Sequence, residues 1–397
     1  MSTLPVTPLI SSIGVQNPTL RVFDIIMETE YGTSYNAYLA RGTEKTALVE
    51  AVHGAFFDEY LENIRSLADI RQIDYLILNH TEPDHSGCVA KLLEINPDIT
   101  VVATGPGHKY LVAIVNRPYR ALTAAAGQSI GLGGLTLSFI PAPMLHWPDS
   151  MFTWCPEEKT LFSCDFLGAH YSEPRVFDTK VTYPEKYLSA FRYYYDCIFA
   201  PFKPFVLQGL EKAEALGAAF VCPSHGPILT ESIEQAMALY RSWSAPPAKR
   251  EKKKVFIAYV SAYGCTRMLA QAMAAALEAE GLQTESLDLL KADFAALKEK
   301  IDGADGLLFG TPTINRDALK PVWDATTLID AVANKGKPAG VFGSYGWSGE
   351  GVPMIAERLK GLKLGVLGDG FKANFVPSSD ELDAAAAYAR EFAAMLK

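Results

Sequence analysis

Four potential metal ligands within six residues constrain this chain more than any other feature of its sequence. The four are His80, Glu82, Asp84 and His85. They follow a short apolar run at residues 75–78, which is typical of a buried strand. Pro83 and Gly87 interrupt the stretch, so we expect neither a regular helix nor a ladder strand through the ligands. The pattern predicts a turn at a strand end that directs these groups at a cation, although a solvated polar loop would look similar.

Three more residues of ligand type occur later in the chain in the same kind of setting. They are His146, Asp165 and His225, and each follows an apolar strand at or near a Gly or Pro turn. Four such loops at strand ends are much harder to explain as solvated loops than one. The set combines four imidazoles with three carboxylates, and hard oxygen donors stabilise a ferric ion. The sequence therefore predicts a metal site that suits iron.

Composition excludes several classes of protein. The chain has 397 residues, of which 49% are hydrophobic and 20% charged, as expected for two or three globular domains. Its net charge of -9 argues against nucleic-acid binding. Residues 1–5 do not begin a signal peptide, and no apolar run is long enough to cross a bilayer, so we expect a soluble, cytoplasmic protein. The six cysteines form no CxxC pair, which argues against rubredoxin-type, zinc-ribbon and ferredoxin sites.

The order of the predicted strands and helices along the chain indicates two domains, 1–248 and 249–397. In the first, short strands alternate with helices and then follow one another, as in a layered α/β domain with two sheets. Residues 244–254 contain two prolines and a run of charges, which is typical of a linker. After them, about five strands alternate with helices, including a strand at 255–260 and helices at 266–280 and 320–333. This alternation predicts a doubly wound parallel sheet.

The ligand order, His-x-Glu-x-Asp-His followed by His, Asp and His at intervals of 61, 19 and 60 positions, closely resembles that of flavodiiron proteins. Nearly the whole chain is covered by the resemblance. It implies an N-terminal metallo-β-lactamase-like αββα sandwich and a C-terminal flavodoxin-like domain. The ligand sets that it implies are His80, Glu82, His146 and Asp165 for one iron, and Asp84, His85, Asp165 and His225 for the other. Asp165 would bridge the two irons.

Three loops of the second domain predict a flavin site. The first joins a strand to a helix and offers backbone N–H groups, hydroxyls and a helix N-terminus to a phosphate, like the FMN-phosphate loop of flavodoxins, although it could be a plain Ser/Thr helix cap. All three lie at carboxyl ends of strands near the switch point, where such sheets bind ligands. No GxGxxG motif is present, so NAD is the weaker interpretation. The predicted FMN-binding residues are Ser261, Ala262, Tyr263, Gly264, Cys265, Thr266, Thr311, Pro312, Thr313, Ile314, Asn315, Ser344, Tyr345, Gly346, Trp347, Ser348 and Gly349.

The resemblance implies an oxidoreductase with FMN and two irons per chain. It would reduce dioxygen to water, nitric oxide to nitrous oxide, or both, using electrons from a rubredoxin, a flavin reductase or a reduced deazaflavin. It would work as a head-to-tail homodimer or a dimer of dimers. The alternative is a zinc hydrolase fused to a flavodoxin-like module. Related zinc hydrolases have His where this chain has Glu82, and zinc would leave the flavin without a redox partner. His170, five residues after Asp165 on the same loop, is expected either behind the ligands or on the surface rather than as a ligand.

Overall fold

The chain divides into two compact units, Met1–Pro246 and Pro247–Lys397, in a computed structural model that describes residues 3–246 and 250–397. The boundary predicted between residues 248 and 249 and part of the predicted linker lie outside the described residues. Within the described ranges, no helix is both long enough and apolar enough to cross a membrane.

The first unit contains sixteen strands and seven α-helices among its described residues. The strands are β1 (Leu4–Pro5), β2 (Ile10–Ser12), β3 (Val15–Asn17), β4 (Val22–Phe23), β5 (Met27–Glu28), β6 (Thr33–Tyr35), β7 (Tyr38–Arg41), β8 (Thr46–Val49), β9 (Tyr75–Ile77), β10 (Thr100–Ala103), β11 (Arg120–Thr123), β12 (Ser129–Gly131), β13 (Thr136–Pro141), β14 (Met151–Cys155), β15 (Thr160–Cys164) and β16 (Phe220–Pro223). The helices are α1 (Phe57–Leu67), α2 (Pro83–Ser86), α3 (Val89–Ile95), α4 (Gly105–Val115), α5 (Pro184–Tyr194), α6 (Lys203–Glu214) and α7 (Ile233–Ser244).

Two sheets face each other in this unit, with helices on both outer faces. One sheet has the order β1-β2-β7-β8-β9-β10-β11 and the other β12-β13-β14-β15-β16. Successive residues of a strand point to opposite faces of its sheet. In β10, Val102 packs between the two sheets, whereas Val101 packs against α1, α3 and α4. In the second sheet Phe162 points between the sheets and Leu161 towards α5, α6 and α7. The predicted αββα sandwich is confirmed.

The second unit is a doubly wound parallel sheet, also as predicted. Its strands are β17 (Lys254–Tyr259), β18 (Gln283–Asp288), β19 (Gly306–Gly310), β20 (Thr313–Ile314), β21 (Asp317–Ala318), β22 (Pro338–Tyr345), β23 (Gly365–Val366) and β24 (Phe371–Asn374). Its helices are α8 (Cys265–Ala279), α9 (Phe294–Asp302), α10 (Lys320–Thr327), α11 (Gly351–Gly361) and α12 (Ser379–Ala394). The order is β18-β17-β19-β22-β23, with β24 also parallel to β22, and β20 and β21 form a separate hairpin. Phe256 packs on one face and Ile257 on the other, so both faces are buried.

Two local expectations were wrong. Residues Pro83–Ser86 form one helical turn, α2, through Asp84 and His85, where we expected no helix. Proline occupies its first turn, where the missing N–H has no intrahelical partner in any case and the fixed φ favours the helix. Helix α10 ends at Thr327, before the predicted residue 333. There the Asp330 carboxylate accepts hydrogen bonds from the N–H groups of Val332 and Ala333, which offers the backbone an alternative to the helix.

Candidate metal and flavin sites

The seven predicted metal ligands meet at one end of the sandwich because the strands that precede them end there. His80 and Glu82 follow β9 and lead into α2, which carries Asp84 and His85. The other three occupy the turns that follow β13, β15 and β16, and they are His146, Asp165 and His225. The parallel neighbours β15 and β16 end side by side, which places their turns together. The geometry therefore joins residues up to 145 positions apart.

The ligand atoms form two triads. In the first, Glu82 Oε2 lies 3.1 Å from His80 Nε2 and 3.4 Å from His146 Nε2. In the second, Asp84 Oδ2 lies 3.5 Å from His85 Nε2 and 3.0 Å from His225 Nε2. Within each triad the possible ligand atoms lie within 4.8 Å of one another. Each triad is compact enough for one metal ion.

Asp165 stands between the triads and presents one oxygen to each. Its Oδ1 is 3.2 Å from His85 Nε2 and 3.4 Å from His225 Nε2, whereas its Oδ2 is 3.5 Å from His146 Nε2. Tyr194 donates a hydrogen bond of 3.1 Å to Oδ1. A carboxylate so placed can ligate two metal ions at once.

Burial makes this assembly costly without cations. Asp84, His85, Asp165 and His225 are each at most 6% exposed. Among the described residues, Asp84 Oδ1 and His85 Nε2 are buried polar atoms without a hydrogen-bond partner. Buried charges require pairing or metal coordination. The donor set of imidazoles and carboxylates fits iron, and the unpaired atoms, both in the second triad, fit a cation bound there.

Neighbouring charged groups shift the pKa values of His80 and Asp165. Burial works against a charged His80, yet hydrogen bonds to Asp149 and Glu82 raise its pKa to about 10. Burial likewise opposes charge on Asp165, but His85 and His146 hold the pKa of this carboxyl well below its usual range. Asp165 thus stays ionised, and His80 must release a proton when its imidazole binds a metal ion.

Hydrogen bonds to the Nδ1 atoms of His80 and His225 orient the two imidazoles. The partners in these hydrogen bonds were not predicted from the sequence. Both oxygens of Asp149 lie 3.1 Å from His80 Nδ1, and Asp149 also accepts from the N–H and hydroxyl of Thr81. The carbonyl of Ser34 accepts a 2.6 Å hydrogen bond from His225 Nδ1. Asp149 lies three residues after His146 in the same turn, which was a usable signal. The Ser34 contact uses a backbone atom, so residue type gave no signal.

A cavity of about 320 Å³ opens onto the metal ligands. Glu82, Asp84, His146, Asp165 and His225 line it, as do His170, Tyr194, Phe23 and Asp24. Burial, with the nearby carboxylates Glu82 and Asp84, raises the pKa of Asp24 to about 6. Burial and repulsion from His225 lower the pKa of His170 to about 3, so its ring is neutral. His170 belongs to neither triad. It thus lies beside the predicted ligands and outside both triads.

A second pocket, of about 440 Å³, lies in the second unit at the carboxyl ends of β17, β19 and β22. All predicted flavin-site residues line it except Gly264, Thr311 and Gly349. Thr311 is fully buried behind the pocket wall. Its hydroxyl donates to the Pro312 carbonyl and accepts from the Leu319 N–H, and these hydrogen bonds stabilise the conformation of the loop. Arg316 and Phe375 line the pocket although they were not predicted. Phe375 follows β24, so it could have been predicted from its position at the carboxyl end of a strand.

This pocket has the features that FMN requires. The loop from Ser261 leads into the N-terminus of α8, where N–H groups and the helix dipole favour a phosphate. The Ser261 hydroxyl accepts from the Arg267 N–H, and the hydroxyls of Thr266 and Ser344 share a 2.9 Å hydrogen bond across two loops. The indole of Trp347 is 88% exposed at the rim and offers a flat surface to a ring.

Fold and site together define a class: proteins with a pair of metal ions in a β-lactamase-like domain and a flavin in a flavodoxin-like domain. A family model described as ODP family beta lactamase matches residues 33–226, and a Flavodoxin model matches residues 257–388. The chain is 49% identical to the Flavo-diiron protein FprA2 of Clostridium acetobutylicum, over 99% of both chains. It is 36% identical to the Type A flavoprotein fprA of Rhodobacter capsulatus, over 98% of this chain and 90% of the relative.

Solved structures agree with this class. Rubredoxin oxygen:oxidoreductase from Desulfovibrio gigas superposes with a TM-score of 0.67 at 28% identity, covering 100% of this chain and 98% of that one. The flavodiiron protein from Giardia intestinalis gives a TM-score of 0.66 at 27% identity, covering 100% and 97%. The chain belongs to the flavodiiron protein family. Its cofactors are FMN and a non-haem diiron pair.

Proposed function

We propose that this protein reduces dioxygen to water, nitric oxide to nitrous oxide, or both, with electrons from an external donor. The observation that carries the proposal is Asp165, whose two oxygens face different triads. Bound iron and FMN supply the redox chemistry, since both change oxidation state. Dioxygen requires four electrons and a pair of nitric oxide molecules requires two, and two irons with one flavin can hold about four.

The proposed ligand sets follow the triads. His80, Glu82, His146 and Asp165 hold one iron, and Asp84, His85, Asp165 and His225 hold the other. Asp149, Ser34 and Tyr194 orient these ligands through the contacts described above. The small cavity bounded by Phe23 and His170 admits a diatomic while burying the ligands from bulk water.

Zinc hydrolysis remains the second candidate, and Glu82 argues against it. Its carboxylate lies between His80 and His146, where it supplies a hard oxygen donor to the first triad. A flavin would have no redox partner in a zinc enzyme. The flavin pocket is therefore better accounted for by the oxidoreductase than by the hydrolase.

The electron donor and assembly belong to the same proposal. The name of the Desulfovibrio gigas relative links it to rubredoxin and oxygen. By that analogy a rubredoxin delivers electrons to the FMN of this chain, and a flavin reductase or a reduced deazaflavin are the other proposed donors. We place the protein in the cytoplasm, as a head-to-tail homodimer or a dimer of dimers.

Elemental analysis and gas consumption test the function. Protein produced with ample iron should hold about two irons and one FMN per chain. After anaerobic chemical reduction it should consume dioxygen, nitric oxide or both in a Clark-type or nitric oxide electrode. Protein that holds mainly zinc, or iron-loaded protein that consumes neither gas, would overturn the proposal.

A further inference from the structure

His170 is a buried imidazole that neither metal triad uses. It is 4% exposed and lines the small cavity beside the ligands. Its ring stacks on Phe23 with centroids 4.3 Å apart, and Tyr194 meets it edge-on at 4.9 Å. Packing against these two rings fixes the orientation of the imidazole, so each of its nitrogens has defined surroundings.

The contacts of Thr33 bear on which nitrogen of the ring carries the proton. His170 Nδ1 lies 2.9 Å from the Thr33 hydroxyl, which has a single proton to donate. The other acceptor within reach of that hydroxyl is the Ser34 carbonyl, at 3.3 Å, which already accepts the 2.6 Å hydrogen bond from His225. The shorter contact therefore favours donation from Thr33 to Nδ1. A neutral ring that accepts at Nδ1 carries its proton on Nε2.

The Nε2 atom has no partner among the described residues, although it is buried. Buried polar groups in folded proteins are nearly always hydrogen-bonded, and an exception is explained when a ligand provides the partner. The residue lines the cavity together with Asp84, Asp165 and His225. A ligand that enters this space would lie beside His170 and two members of the second triad, Asp84 and His225.

We propose that His170 donates a hydrogen bond from Nε2 to the small ligand that occupies the cavity beside the metal ligands, and that Thr33 fixes the tautomer that makes this possible. The ligand class is a diatomic or a linear anion with a terminal lone pair. The proposal rests on the proposed function, since it assumes that the ligand binds at an iron-loaded site.

Azide binding tests this donor without relying on turnover. Sodium azide is titrated into oxidised, iron-loaded protein and followed by absorption. His170→Leu should weaken azide binding roughly tenfold, the effect of losing one hydrogen bond. His170→Gln can place an amide N–H near the position of Nε2 and should recover most of the affinity. Thr33→Val removes the proton donated to Nδ1 and should weaken azide binding in the same direction with the ring still present.

The control variant is His108→Leu, since His108 is a partly buried imidazole of the same domain that contacts Tyr119 and the Leu122 carbonyl. It should leave azide affinity unchanged. The proposal is overturned if His170→Leu and Thr33→Val keep two irons and bind azide like the parent. It is also overturned if iron loss accompanies weaker binding in both, because His170 would then support the metal. A parent protein that holds no iron would instead count against the proposed function.

Discussion

Asp165 is the residue on which the metal pair depends most, because its two oxygens face both triads. Replacing it with Ala removes the carboxylate that His85, His146 and His225 share. We expect Asp165→Ala to bind less than one iron per chain and to lose turnover, while the flavin absorption spectrum stays unchanged because FMN binds in the other unit. Iron analysis, spectra and gas electrodes measure the three quantities. Asp98→Ala, which removes an exposed carboxylate, is the control. Loss of FMN from Asp165→Ala would contradict the assignment of the two sites to different domains.

A second prediction at the residue scale concerns Asp149, the hydrogen-bond partner of His80. Its carboxylate is 1% exposed and holds His80 Nδ1, so His80 presents Nε2 to Glu82. An amide in its place can donate as well as accept and no longer specifies that tautomer. We expect Asp149→Asn to weaken iron binding about 10- to 100-fold, the usual cost of losing such a partner. Competition with a chelator measures the affinity. Unchanged iron affinity in a folded variant would show that Thr81 and packing suffice to orient His80.

At the scale of elements, Asp178 determines how α7 begins. One of its oxygens accepts hydrogen bonds from the N–H groups of Thr230, Glu231 and Ser232 just before that helix. Burial tends to raise its pKa, but the hydrogen bonds from Thr230 and Ser232 prevail and lower it. This contribution to stability is therefore complete above the ordinary value of 3.8 and is lost as the pH falls through the lower folded-state pKa.

Asp178→Ala should lower the free energy of unfolding by about 1–2 kcal/mol at neutral pH, since it leaves several N–H groups without an acceptor. The difference between parent and variant should shrink as the pH falls below 3.8. Urea unfolding of the iron-loaded protein at several pH values measures it, and iron content should not change. A difference that stays constant down to pH 2 would mean that the carboxylate is not the source of the stability.

The strands and helices also show which parts of the structure could be predicted from the sequence. Strand β10 begins and ends where the apolar run of residues 100–103 does, because a short β-branched run between turn residues has few alternatives. Helix α2 was missed because Pro83 looks like a breaker unless the first helical position is known. All seven predicted metal ligands stood out by residue type and strand-end position. Two contacts behind the site did not, since Ser34 offers His225 a carbonyl and Thr33 offers His170 a hydroxyl, both from strand β6, far away in sequence.

At the scale of the whole molecule, the two cofactors lie in different units of one chain, so electrons must pass between domains. Nothing in a single chain requires that they pass within that chain. The family resemblance implies pairing of two chains head to tail, with each flavin facing the metal pair of the partner. In that arrangement two inactive chains with opposite defects should complement each other.

The two defects can be made separately. Asp165→Ala disables the metal pair. Cys265→Glu places a carboxylate in the first turn of α8, where the helix tolerates it but where it repels the FMN phosphate. Cys265→Ser, which adds no charge, is the matched control and should keep FMN. Each parent homodimer should be inactive, the first for lack of iron and the second for lack of flavin.

Co-expression of the two variants with different tags and purification through both tags yields the mixed dimer. It should hold about one FMN and two irons per dimer, because each cofactor has one intact site. Its single flavin then faces its single metal pair across the interface, so we expect about half of the gas consumption of the parent dimer. If the mixed dimer holds both cofactors and is as inactive as either parent, electrons move within one chain and the head-to-tail arrangement is wrong for this protein. If no doubly tagged species forms, the chains do not pair, and the same conclusion follows from the assembly itself.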